Sequence, residues 1–268
     1  MQNIDPVYFS LPVTVLVLMV GLVVYWRRSR VFSRGAMLYS LVAYAGAIAL
    51  KYAVQLPTIN AFEASTGGSL VALGVYYGAQ TAAFEVGGAY VVARLAVSRS
   101  RLKAEDAEGF GLGLAFWENA ALLAVPMLLE YSLYYVVLSS PNSLAAQVLY
   151  PVLAKQSPGL FLSPAAALPL VGYSILERVS SLVSHFTWGF LCLFAAVLNR
   201  KRLFFIALPL GFVIDFLVPF AGAIGLGVFE LTIFAISIAA LAGALSLVRR
   251  SALPGGAGTV SHSPSSNT

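Results

Sequence analysis

Seven ionisable residues stand inside stretches apolar enough to lie in a bilayer, and they are where this chain can do chemistry. They are Lys51, Glu85, Glu118, Glu177, Arg178, His185 and Asp215. Charged groups in the hydrocarbon region are costly, face the bundle interior and mark functional sites. A helical rise of about 1.5 Å per residue sorts them by depth from one end of their spans. Lys51, Glu177, Arg178 and Asp215 fall roughly 8–10 Å down, and Glu85, Glu118 and His185 roughly 17–22 Å down.

The shallower set holds two acids and two bases and reads as a supporting ion-pair network. Lys51 either snorkels to the interface or pairs with a nearby acid. The deeper set, Glu85, Glu118 and His185, is the candidate catalytic group. A carboxylate shielded from bulk water can act as a general base toward a water molecule. Glu177 and His185 are eight residues apart, about 80° around a helix, so they share a face with Ser181 and Ser184 between them. Asn119, beside Glu118, is equally too polar to face lipid. Two glutamates and a histidine also suit a metal ion, but a single histidine with no second nitrogen or sulfur ligand argues against tight zinc. No metal and no cofactor are expected.

These residues need helices to position them. Of 268 residues 59% are hydrophobic and 10% charged, against about 25% charged in globular domains. About 20 apolar residues cross a membrane, and seven windows qualify, near 9–26, 36–56, 70–96, 110–129, 171–198, 203–221 and 229–248. Backbone groups in lipid must bond internally, so the spans are helical, and the alternating segments of a barrel are absent. The fold class is all-α, a polytopic bundle of seven transmembrane helices in the cell membrane. Thirteen of the 16 basic residues sit at the ends of odd-numbered spans. By the positive-inside rule the N-terminus is outside and the C-terminus cytosolic.

Residues 1–250 read as one membrane domain and 251–268, rich in Gly, Ser and Pro, as a disordered cytosolic tail containing His262. Residues 131–170, with five prolines, read as a long outer loop in which SLAAQVLYPVLAK forms a surface helix. Gly109 and Gly113 have the GxxxG spacing of close helix packing, and Gly87 and Gly88 also allow close approach. The single cysteine, Cys192, excludes an intrachain disulfide and a cysteine metal cluster and reads as core filler. The positive charge follows topology, so no nucleic-acid partner is expected. The bilayer is the expected partner, with a membrane-borne polypeptide. No nucleotide-binding loop, HExxH or GxSxG motif is present.

Four segments, FEVGGAY, GLGLAFWENA, ERVSSLVSH and GFVIDF, occur in an order that resembles the YhfC group of intramembrane peptidases. That group lies in the superfamily of CAAX prenyl proteases, PrsW proteases and the anterior-pharynx-defective scaffold subunit of gamma-secretase. The resemblance covers about residues 80–220. It implies a glutamic-type intramembrane peptidase in which Glu85 is the base for water and Glu118 and His185 orient water or stabilise the oxyanion. Arg178 would hold the surrounding network together. The chain departs from the pattern at Val86 and Ala89, where a second glutamate and a basic residue are expected, and at Leu114 and Gly211, where histidines are expected.

The scaffold subunit offers a different match, in the segment His185–Phe186–Thr187–Trp188–Gly189 followed by Arg200–Arg202. It implies a non-catalytic protein that holds a membrane protease partner. Buried carboxylates and a histidine also make proton relays, which leaves a proton-coupled transporter as a third reading. A peptidase requires a water-accessible pocket at Glu85, Glu118 and His185 that opens laterally to lipid. A scaffold requires a closed core, and a carrier a polar path to both sides.

Overall fold

The computed structural model describes residues 3–29 and 33–252. All regular structure among them is helical. In chain order the helices are α1 (Ser10–Ser29), α2 (Arg34–Ser65), α3 (Leu70–Gln80), α4 (Gly87–Ser98), α5 (Ala107–Phe116), α6 (Val125–Leu138), α7 (Leu144–Gln156), α8 (Pro164–Val197), α9 (Lys201–Leu217), α10 (Ala221–Ile224) and α11 (Leu226–Ala252). A π turn, Thr81–Val86, joins α3 to α4 without a break, and a second, Trp117–Ala124, joins α5 to α6. Six helices are long and apolar enough to cross a membrane. The remaining sequence window, 70–96, is also helical throughout and packs against α2 and α9. The protein is a multi-pass helical membrane bundle. Arg30, His262 and the tail from residue 253 lie outside the described residues.

Helix α8 is the axis of the bundle. Two thirds of its most apolar window (67%) is buried, against 11–28% for the other five long helices, and it packs on α1, α4, α5, α9 and α11. Small residues let the backbones approach. A Cβ on Gly111 would stand well under 3 Å from the backbone oxygen of Phe186, and one on Gly189 would stand 2.8 Å from Gly111 Cα. The GxxxG pair faces elsewhere: Gly113 abuts Ser40 and Gly109 abuts Ala36, both on α2. So α5 is wedged between α2 and α8 by glycines on two of its faces. Cys192 is fully buried in this core.

Residues 131–170 differ from the expected loop. Residues 131–138 finish α6, and α8 begins at Pro164. The expected surface helix is present as α7, and only short connections flank it. The prolines mislead because Pro164 occupies the first turn of its helix, where its missing N–H has no partner to lose. Pro57 and Pro151 lie inside α2 and α7. Helix α2 consequently runs to Ser65, well past the window edge at 56.

Candidate active site

Both candidate glutamates sit on π turns. The Gly87 N–H donates to Ala82 O, and the Val125 N–H donates to Ala120 O, five residues back in each case. The extra residue in the turn widens the helix and re-aims its side chains, and such turns recur at functional sites. Glu85 (8% exposed) and Glu118 are thereby turned toward His185 on α8 (5% exposed).

The three groups converge on one point. His185 Nε2 lies 3.1 Å from Glu85 Oε2 and in contact with Glu118 Oε2. One ligand atom from each of the three lies within 4.8 Å of the others. His185 Nδ1 lies 2.9 Å from the Ser181 carbonyl oxygen. A carbonyl only accepts, which assigns the proton to Nδ1 by the hydrogen-bond network. Nε2 then faces two carboxylate oxygens, and a positive species must sit at that corner: a proton on Nε2 or a cation between the three. Glu118 Oε2 is buried and makes no hydrogen bond of acceptable geometry.

Each carboxylate is oriented through its other oxygen. Lys51 Nζ lies 2.5 Å from Glu85 Oε1 and 3.1 Å from Asp215 Oδ2, and donates to Thr81 Oγ1 at 2.8 Å. Thr81 in turn donates to Asp215. Arg178 pairs with Glu177 and approaches Glu118 Oε1 at 3.7 Å. Ser181 donates to Glu118 Oε1 at 3.1 Å and accepts from Asn119 Nδ2 at 3.2 Å.

The two depth layers expected from sequence are thus one connected network, and Lys51 is paired inward instead of snorkelling. The cause is the length of α2. Lys51 stands fourteen residues inside Ser65 and Glu85 fifteen inside Leu70, so both lie about 21–23 Å from those helix ends. Sequence windows truncated α2 and misplaced its lysine.

A cavity of about 360 Å³ opens over this network, lined among others by Tyr44, Glu118, Arg178, His185, Asp215 and Glu230. A second, of about 240 Å³, shares Lys51 and Asp215 with it. An apolar groove between α2 and the second π turn, lined by residues such as Leu41, Ala45, Trp117 and Leu122, shares Tyr44 and Ile48 with the first cavity. Glu230, not among the sequence candidates, also lines the first cavity. It is 3% exposed, and its Oε2 has no partner. Its place within the apolar run LGVFELTIF was the available signal.

A protein-family model described as YhfC intramembrane metalloprotease matches residues 14–235. The chain belongs to the YhfC family. Comparison with the curated proteins and with the solved structures gives no match. Membership makes this an intramembrane protease family protein whose expected substrates are polypeptides.

The YhfC description implies a metal, and the corner suits one. An imidazole and two carboxylates can supply the three protein ligands of an open catalytic site, and one ligand atom of each converges on the shared space. A lone histidine counts against tight zinc by ligand type alone, and the convergence of the three groups is a matter of position. Where the resemblance expects further polar residues, Val86, Leu114 and Gly211 are instead packed in the core. Ala89 is fully buried as well.

Proposed function

We propose that this chain is an intramembrane peptidase whose hydrolytic centre is Glu85, Glu118 and His185. The observation that carries the reading is the convergence of Glu85 Oε2, Glu118 Oε2 and His185 Nε2 on the wall of a cavity inside a membrane bundle. The same three residues would hold a divalent metal ion, which when bound supplies Lewis acidity and eases ionisation of water. The chain's own residues do the rest. Lys51 and Thr81 fix Glu85, and Arg178 and Ser181 fix Glu118, so that both carboxylates present Oε2 to one point. The Ser181 carbonyl holds the histidine tautomer that leaves Nε2 for the corner.

In a metal-free, glutamic-type form of the reaction, one carboxylate takes the proton of water. The resemblance assigns this to Glu85. Both carboxylates meet His185 Nε2 through Oε2, but Glu85 Oε1 is held directly by the Lys51 ammonium, whereas the Arg178 guanidinium stands 3.7 Å from Glu118 Oε1. This favours Glu118 as the acceptor.

The groove between α2 and the second π turn would admit a peptide from the lipid side, past Tyr44 and Ile48. Cavities near the arginine-rich ends of α8 and α9 share no lining residue with the catalytic one. Between them lies the packed layer Trp188–Leu193, which weighs against a through-path for a carrier.

The test is cleavage of membrane-anchored reporter peptides by purified protein, beside Glu118→Gln and Glu85→Gln, with and without a chelator. Loss of cleavage in both variants supports the centre. Sensitivity to the chelator, reversed by added zinc, selects the metal form. Folded protein that cleaves nothing before or after zinc addition removes the peptidase reading in favour of a scaffold.

A further inference from the structure

Helix α11 turns one face into the bundle. Along it, Phe229, Glu230, Ile233, Ser237, Ala244 and Val248 are all buried. Glu230 takes a core-facing position that a leucine would fill without cost, while a carboxylate there loses its water shell. The helix is held tightly at this level. A Cβ on Gly227 would stand 2.7 Å from Tyr173 Oη of α8, so the glycine lets α11 pack closely on α8 one turn before Glu230. Glu230 lines the catalytic cavity with Glu177 and Arg178, yet Arg178 is spent on Glu177 and Glu118.

The charges of the cavity leave Glu230 over. Five carboxylates line it against Lys51 and Arg178. Lys51 serves Glu85 and Asp215, and Arg178 serves Glu177 and Glu118. A divalent ion at the His185 corner would balance what those four carboxylates lack, and an imidazolium would balance less. In either case Glu230 is the lining carboxylate left without a cation among the described residues, so its ionised form has to be matched by a charge brought in from outside.

We infer that Glu230 binds a cationic group of the substrate, either a lysine or arginine side chain beside the scissile segment or a free N-terminal ammonium. The inference rests on the peptidase reading and adds a substrate class to it: polypeptides that bring a positive charge into the cavity from the end where α11 begins. Such a charge would be desolvated against an unpaired carboxylate, where an ion pair contributes more than it does at a wet surface.

The experiment uses C-terminally labelled single-span peptides and the purified full chain in detergent. The peptides form twin pairs, differing by Lys against Gln next to the span, or by a free against an acetylated N-terminus. Binding is read by fluorescence anisotropy and cleavage of the same peptides by gel. Wild type should bind one cationic twin roughly tenfold more tightly than its neutral partner, and the ratio should fall to about one in Glu230→Gln. The twin pair that shows the effect identifies the source of the charge.

Glu230→Leu keeps the result separate from folding. It should lose the same ratio while melting no lower than wild type, since it removes a buried carboxylate that has no partner. A ratio near one in wild type, an unchanged ratio in Glu230→Gln, or no binding of any peptide would overturn the inference. Selective binding without cleavage would instead remove the peptidase reading and leave a cation-selective peptide site standing.

Discussion

Val86 fills the space that a side chain on Gly211 would need. A Cβ built on Gly211 would lie 2.5 Å from Val86 Cγ2, and Val86 is fully buried. These are the positions where the family resemblance implies a glutamate and a histidine, so two polar groups are missing together and a methyl group closes the gap. Leu114, in place of another histidine, likewise packs 2.7 Å from where a Cβ on Gly189 would stand. The polar groups that remain are those of the converging corner and its two ion-paired supports.

That packing predicts a coupled cost. Gly211→Ala should lower stability by about 1–3 kcal/mol through overpacking, and Gly211→His by more. Adding Val86→Ala should restore part of the loss, giving a double-mutant cycle that is clearly non-additive, as expected of residues in contact. Melting temperatures of the four purified proteins in detergent measure this. Strict additivity would mean that the two side chains do not compete for one space.

How far the sequence could be read depends on which physical signal each residue left. Glu85, Glu118 and His185 were legible because ionisable groups inside apolar runs have few reasons to be there. The helical membrane bundle was legible from the same runs. The partnership of Lys51 was not, because hydropathy windows stop at the aqueous boundary and α2 continues to Ser65. The π turns were not, because a one-residue insertion leaves no mark on composition. Glu230 was not, although it lies within the last apolar window, because a single acid near a window edge looks the same whether it faces water or the core.

The Lys51 ammonium is shared by two acids with its side chain only 14% exposed. Lys51→Met should therefore be severe, about 3–5 kcal/mol, since it strands buried carboxylates without a cation. Lys51→Met with Asp215→Asn should recover part of that loss, and Asp215→Asn alone should cost less than Lys51→Met. The measurement is thermal unfolding monitored by tryptophan fluorescence. If Lys51→Met melts with wild type, the pairing seen between Lys51 and Glu85 is not one the protein depends on.

Metal content separates the two forms of the reaction without any need for a substrate. If the corner holds a divalent ion, protein purified without chelator should carry close to one zinc-class ion per chain by elemental analysis. His185→Ala should lose most of it, and Glu118→Gln should weaken retention during dialysis by about 10–100-fold or more, since losing a ligand exceeds the usual effect of its outer partners. Ser181→Ala, which touches Glu118 and His185 only as a support, should retain the ion more weakly than wild type but better than His185→Ala. Equal, negligible metal in wild type and variants after zinc incubation would favour the glutamic form with Glu118 as proton acceptor.

The crossing of α5 and α8 ties stability to chemistry. Gly111 lies against the backbone oxygen of Phe186, and a backbone cannot swing aside as a side chain can. Gly111→Ala must therefore part the two helices. Phe186 is next to His185, and α5 runs directly into the π turn that carries Glu118, so the separation should displace Glu118 from His185. The expected result is a loss of about 1–3 kcal/mol or more from overpacking, together with loss of peptide cleavage and of any bound metal. Gly21 supplies the contrast. A Cβ there meets nothing within 4 Å, so Gly21→Ala should be neutral or stabilise by up to about 1 kcal/mol through helix propensity. If both substitutions behave alike, the close crossing at Gly111 does not set the distance between Glu118 and His185.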